Sequence, residues 1–489
     1  MDANRDLMVD FRRTAVTIFH CAASPLSMVR SLIAAVLLAT ASPLASQVHP
    51  SPQVDPKVAA LRDAALEGDE HAWDIVEGLT TEVGPRLAGT EAEGRAREWA
   101  VRKLKAMGFA NVRVEPFDMP VWVRGHESAE ILAPFPQPMV VAALGNSAST
   151  GPGGVTGEIV AFDSIDALRA APDAMVRGKI IFVDHRMPAN QDGSGYGQFG
   201  APRRQGPTLA SQKGALAIVV RSIGTDHHRN PHTGVMTFSD GAKPIPAGAL
   251  SIPDAEQLVR ILKRGQPVTM KLVLESRNLG TGQSGNVIAE VPGRDPSLPP
   301  ILVGGHLDSW DQGTGAIDDG AGIAIAAAAA KRIMDAGRPL RTIRIVWFGA
   351  EEVGLFGGLD YRARHGKEPH HALIESDFGA DKIWKVDSKL GEARKAEAEA
   401  IGRALAPLGI VTGSLTEADG SDIGPMLGDG LPGVALSQDG TRYFDIHHTP
   451  DDTLDKIDPA QLRQNVAAWT TVLAVMSGGL EEPKSRKRR

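Results

Sequence analysis

The stretch at residues 301–330 constrains the fold of this chain most. Apolar residues 301–303 run into GGHLDSWDQGTGAIDDGAG (304–322), and an alanine-rich run, 323–330, leads out. An apolar run stopped by glycines and resumed by strong helix formers reads as a buried strand, a tight loop and a helix. In an open α/β sheet, ligands gather at the carboxyl ends of the strands. The strand therefore presents His306 and Asp308 at such an edge. A lone His-x-Asp pair is weak evidence, so its meaning depends on the partners the rest of the chain supplies.

After Asn286 the same rhythm repeats. Strand-like segments fall at 287–291, 301–305, 342–348, 372–374 and 434–437, and helical ones at 321–336, 392–406 and 459–477. This alternation predicts an α/β fold, a mixed and mostly parallel sheet with helices on both faces. Before it, residues 55–82 read as one helix. Thr90 and Glu93 form a capping box for a second helix at 90–107, and Val112 opens a strand region. Between 125 and 280 the texture changes. Short strands at 159–162, 179–183, 217–220 and 269–274 are joined by Gly- and Pro-rich connections, with a long polar loop at 188–206. This predicts a separate, β-rich insert without catalytic residues of its own, whose His227, His228 and His232 sit in a solvated loop. G-x-G-x-x-G occurs at 195–200 and 280–285, but neither match follows a strand and opens a helix, so neither marks a dinucleotide site.

Composition narrows the function. A formal net charge of −7 gives no electrostatic case for binding nucleic acid. The single cysteine, Cys21, excludes an intramolecular disulfide. Met28-Val29-Arg30, the apolar run 32–41 and the small residues 42–46 form the pattern of a secretory signal, with translation starting at Met28. The expected organisation is a signal region (1–46), two parts of one catalytic domain (47–124 and 281–480) around the insert (125–280), and a basic tail (481–489). The location expected is secreted or periplasmic, with no membrane insertion after signal removal.

The partners of His306 lie at strand ends in the second half: Asp318, Glu351-Glu352, Asp377 and His448. Imidazoles and carboxylates without thiolate suit catalytic zinc. Two histidines and three carboxylates hold two zinc ions if one carboxylate bridges. Two adjacent cations lower the pKa of water and polarise a carbonyl. Glu351, beside the ligand Glu352, is placed to accept the proton. Singly, each residue has an ordinary reading as a solvated loop group; their conjunction carries the inference. No G-x-S-x-G occurs, so no nucleophile elbow of a serine hydrolase can be placed.

With these motifs in view, the chain resembles the di-zinc exopeptidases of the bacterial aminopeptidase and carboxypeptidase Q family. The resemblance rests on GPRLAGT (84–90), HLDSWD (306–311), GAIDDGAG (315–322), AEE (350–352), ESD (375–377), GSDIG (420–424) and HHTPDDT (447–453), with PHTG (231–234) in the insert. It implies a zinc-exopeptidase fold with an inserted protease-associated domain. It also implies that His306 and Asp377 bind one zinc, that Glu352 and His448 bind the other, and that Asp318 bridges them. Glu351 is then the general base, and Asp308 orients His306. His448 fits the family spacing better than His447. The Asp318–Asp319 bond resembles one that is cis in relatives. The expected activity is hydrolysis of short peptides. Carboxypeptidase or dipeptidase action follows one branch of the resemblance and aminopeptidase action the other, with Asp422 and His232 as substrate contacts and a homodimer as the assembly. A non-catalytic receptor on the same scaffold is the rival, but every ligand and base position is filled here.

Overall fold

In the computed structural model, which describes residues 54–239 and 241–481, the apolar runs of the C-terminal half lie side by side in one eight-stranded sheet. Its order is Ala110–Val123, Arg277–Val291, Ile343–Phe348, Ile301–His306, Ala372–Glu375, Gly433–Gln438, Ile383–Lys389 and Val411–Thr412. The four strands from Ile343–Phe348 to Gly433–Gln438 run parallel, so their C-terminal ends open on one edge. Antiparallel pairings flank them on both sides. The signal region, Cys21 and the Lys484–Arg489 tail lie outside the described residues.

Alternate side chains of a strand point to opposite faces, and here both faces are covered. Ile301, Val303, Ile343, Ile345 and Trp347 share a core with helices Ala321–Ala336 and Pro459–Met476. Leu302, Val346 and Phe348 face the other way, onto Tyr361 of helix Phe356–His365 and onto Met426 and Leu427 of helix Gly424–Gly428. Burial on both faces is why IRIVWF at 343–348 is apolar almost without a break. Each buried Ile or Leu contributes roughly 1.5–3 kcal/mol. Helix Ala321–Ala336 is buried along most of its length; its alanines let it pack closely against both sheet and neighbouring helix.

The residues between the two parts of this sheet form a second one, also of eight strands. Ile180–Val183, Ala217–Arg221 and Ala247–Leu250 run parallel at its centre. Helix Ile252–Leu262 packs on one face, and helices Ile165–Ala170 and Ala201–Gln212 on the other. This segment is thus itself α/β, richer in helix than its Gly-Pro texture suggests. Arg124 joins the two sheets: its guanidinium grips Asp311 through two bonds, 2.8 and 3.0 Å long, while Trp122 stacks on Trp310. Among the described residues no helix is long and apolar enough to cross a membrane.

Several local expectations need correction. The single helix at 55–82 is two, Pro56–Gly68 and His71–Glu82, because the Asp69 carboxylate caps Ala72 and starts a new helix. The polar loop expected at 188–206 holds helix Tyr196–Phe199 and the first half of helix Ala201–Gln212. The strand expected at 287–291 begins at Arg277, its glycines lying in a long antiparallel ribbon with Ala110–Val123. Strand Ile383–Lys389 is masked in the sequence by Lys385, Asp387 and Lys389, which alternate with buried Val386 and Ser388 near the edge of the sheet.

Candidate metal centre

The parallel strand ends bring the expected residues together. His306 ends its strand, and Glu351-Glu352 and Asp377 follow theirs. His448 follows the short helix Tyr443–Ile446, at a positive φ of 56°. Asp318 sits in the turn Ala316–Gly320, where the Asp318–Asp319 bond is cis. That turn is clamped from two sides. Arg86, fully buried, donates to the carbonyls of Thr314 and Gly315 at 2.6 and 2.9 Å, which gives GPRLAGT its structural purpose. Asp452 accepts from the amides of Ala316 and Ile317 at 2.8 and 2.7 Å.

Asp318 is the centre of the cluster. Its Oδ1 lies 3.1 Å from His306 Nε2, and its Oδ2 lies 3.2 Å from His448 Nε2. Asp377 Oδ1 approaches His306 Nε2 at 3.3 Å, and Glu352 Oε2 approaches His448 Nε2 at 2.7 Å. His306 and Asp377 thus lie beside one end of the Asp318 carboxylate, and His448 with Glu352 beside the other, where His447 also approaches Oδ2 at 3.1 Å. Despite these distances, Asp318 Oδ2 and both Glu352 oxygens are buried without an aligned hydrogen bond. Buried carboxylates left this way are costly unless a cation meets them. The donor set, imidazole and carboxylate only, fits a metal ion.

The far nitrogens of both imidazoles are held by backbone. His306 Nδ1 lies 3.0 Å from the Asp308 carbonyl and His448 Nδ1 lies 3.1 Å from the Thr233 carbonyl. A carbonyl accepts, so each Nδ1 carries a proton and each Nε2 is turned toward the carboxylates. The Asp308 carboxylate is 3.6 Å from His306 Nδ1 and instead accepts from the amides of Glu351 and Glu352 at 3.1 and 3.3 Å. Asp308 thus orients His306 chiefly through its carbonyl, while its side chain fixes the turn that presents the two glutamates.

The electrostatics follow from burial and crowding. Burial alone lowers His306 and His448, yet neighbouring carboxylates outweigh it and hold both well above the usual imidazole range, Asp377 acting on His306 and Glu352 on His448. Burial raises Glu351 well above the usual carboxylate range, and the negative charges of Asp377, Glu352 and Asp422 add to it. His447 is pushed down to about 3 by burial and by the adjacent His448. The site is short of positive charge.

Among the described residues three groups have geometry that could hold an ion: His306 with Asp318 and Glu352; His306 with Asp319 and Asp377; and His232 with His447 and His448. Asp319 is already committed, accepting from the amides of His306 and Gly322 at 3.0 and 3.1 Å. His232 is held at Nε2 by the Tyr196 hydroxyl, 3.1 Å away, and has the Arg203 guanidinium at 3.3 Å, a cation that repels another. His447 stacks on His448 and reaches Asp318 Oδ2 at 3.1 Å.

The second sheet contributes more than its sequence suggested. His232, expected in a solvated loop or at the substrate, is fully buried behind His447 and His448. Tyr196 and Arg203 line a cavity of about 300 Å³ with Asp318, Glu351, Glu352, Asp377 and His448. Asp422, expected at the substrate, is fully buried, accepts from the Gly358 amide at 2.9 Å and does not line that cavity. Its neighbour Ser421 lines the cavity and donates to Asp377 Oδ2 at 2.6 Å. Ser421 lay within GSDIG, so the signal was present one residue away. Nothing local in the sequence marked Tyr196 or Arg203.

Comparison with known proteins is consistent with this geometry. A family model described as Peptidase family M28 matches residues 286–473. Carboxypeptidase Q from Bos taurus is 36% identical over 420 residues, covering 85% of this chain and 87% of that one. Aminopeptidase YwaD of Bacillus subtilis is 25% identical, covering 86% of each chain. Among solved structures, a Peptidase M28 precursor from Shewanella amazonensis superposes with a TM-score of 0.84 at 44% identity, covering 88% of this chain and 99% of that one.

Proposed function

This chain belongs to peptidase family M28, and from that premise we propose that it is a zinc-dependent exopeptidase of short peptides. The observation that carries the proposal is the central position of Asp318, with His306 and Asp377 on the side of one oxygen and the adjacent His447 and His448 with Glu352 on the side of the other. His306 and Asp377 would hold one zinc and Glu352 and His448 the other, with Asp318 shared between them. Bound there, the pair polarises the scissile carbonyl and makes water acidic enough to attack at neutral pH.

The chain's own residues then do the following. Glu351 lines the cavity beside the cluster, where its carboxylate takes the proton of the attacking water and returns it to the leaving nitrogen. The Asp308 carboxylate holds the Glu351 and Glu352 amides, so that one glutamate ligates while its neighbour faces substrate. Ser421 keeps Asp377 oriented by donating to its second oxygen. Tyr443, Phe444 and Phe378 give the cavity an aromatic wall beside the cluster.

The reading extends to the second sheet as a protease-associated domain, to export into a secreted or periplasmic location through the apolar run at 32–41, and to a homodimer on the strength of the family resemblance. An aminopeptidase reading draws support from a neighbouring cavity of about 340 Å³ whose lining includes Asp192, Asp377 and Asp419, carboxylates that suit a free amine. The test is hydrolysis of unblocked di- and tripeptides by the full chain before and after chelation. Cleavage that chelation abolishes and zinc restores is expected. Cleavage that persists in chelator, or none with zinc present, contradicts the proposal.

A further inference from the structure

His448 needs holding. Its φ of 56° lies in the left-handed region, which a residue with a side chain keeps only where its surroundings fix it. The nearest large side chain outside its own segment is Trp310, in the loop after strand Ile301–His306. The indole lies nearly parallel to the His448 imidazole, with 20° between planes and 5.3 Å between centroids.

Trp310 is 3% exposed, and its side chain belongs to the apolar core of the second sheet, with Trp122, Val141 and Ala143. The second sheet closes tightly on it: a Cβ on Gly145 would stand 2.6 Å from Trp310 Cη2. The indole is thus a peg from the loop that begins with His306, set into the other sheet. Its Nε1 donates to Thr233 Oγ1 at 2.6 Å, and the Thr233 hydroxyl donates in turn to Gln312 Oε1 at 2.7 Å. Residues 310 and 312 therefore engage both the accepting and the donating side of one hydroxyl, which fixes its rotamer. The Thr233 carbonyl accepts from His448 Nδ1 at 3.1 Å, and the Thr233 amide donates to the His448 carbonyl at 3.4 Å. Trp310 meets His448 directly through its ring and indirectly through Thr233. A side chain that only fills a core needs neither a polar bond nor a ring plane aligned with that imidazole.

We propose that Trp310 is the positioning residue for His448, so that the loop 306–312 governs both zinc positions. His306 enters the first, and Trp310 fixes the imidazole that completes the second. The proposal rests on the zinc reading above. Trp310 does not line the substrate cavity, so it acts through the imidazole and not through substrate. Zinc beside His448 is held firmly only while the second sheet is seated on the indole.

The experiment withdraws zinc from the loaded full chain with graded concentrations of a competing chelator and counts the ions retained by mass spectrometry. Trp310→Leu keeps an apolar side chain but neither the ring plane nor the N–H. It should weaken one of the two ions by about 10–100-fold and leave the other within a few-fold. Trp310→Phe keeps a ring plane and should recover part of that loss. Trp310→Phe and Thr233→Val remove the same bond, so the double variant should lose no more than the larger single loss. Unchanged retention in Trp310→Leu, or equal weakening of both ions, overturns the role of Trp310 and leaves the zinc reading standing. An unaltered chain that retains no zinc overturns both. Should Trp310→Leu fail to fold, the double variant decides: coinciding losses uphold the proposal and additive losses overturn it.

Discussion

The two eight-stranded sheets are built from similar parts, parallel strands with helices on both faces, yet they meet the catalytic cavity differently. The first delivers charge at the ends of its strands: His306, Glu351, Glu352 and Asp377 all sit where a parallel strand stops. The second delivers support from its helices and loops: the Thr233 carbonyl fixes the His448 tautomer, and Arg203 supplies the cavity's one guanidinium. The lesson is that the clustered carboxylates and His306 come from one sheet, whereas the backbone carbonyl that holds His448 comes from the other. A ligand can be moved by a residue that never touches metal.

The comparison breaks most easily at the chemistry itself. Glu351→Gln should lower turnover by about 10³–10⁴-fold with zinc content unchanged; turnover near the unaltered level would remove Glu351 from its role. Next comes the choice between adjacent histidines. His448→Ala should weaken zinc binding by more than the ~100-fold that losing an outer partner costs, whereas His447→Ala should weaken it far less; metal content by mass spectrometry would show the reverse if His447 were the ligand. The dependence on the second sheet is sharpened by Gly234→Ala. Gly234 has a φ of +134°, and a Cβ there would stand 2.7 Å from His448 Nδ1 and closer still to Arg203 Nη1. This residue carries no polar side chain, yet its substitution should cost about 10–100-fold in zinc affinity by displacing the partner of His448. Unchanged affinity would mean that the second sheet does not orient the site. Smallest is Ser421→Ala, which removes one bond to Asp377 and should weaken zinc binding by about 10-fold.

Much of the first sheet was legible in the sequence, because burial on both faces imposes an apolar run and glycines mark where it stops. Helix Ala321–Ala336 could be read to its ends. The residues that gather at the candidate centre were legible because charged residues recur after apolar strands, and the proposed roles come from the shared motifs. The second sheet was harder. Its strands are short and its prolines and glycines suggest loops, which hid helices Ala201–Gln212 and Ile252–Leu262. Arg203 was not legible, since a lone arginine beside Arg204 in a polar segment looks like a solvated pair. Only the fold buries one of them against His232 and Thr233. Asp422 misled because adjacent residues in a turn point apart: its carboxylate supports Gly358, while Ser421 faces the cavity.

The most direct test of the account is the anomalous scattering of zinc in crystals of the full chain grown with the metal. The account predicts two peaks on either side of the Asp318 carboxylate, one beside His306 and Asp377 and the other beside Glu352 and His448. A single peak, or a peak among His232, His447 and His448, would contradict it.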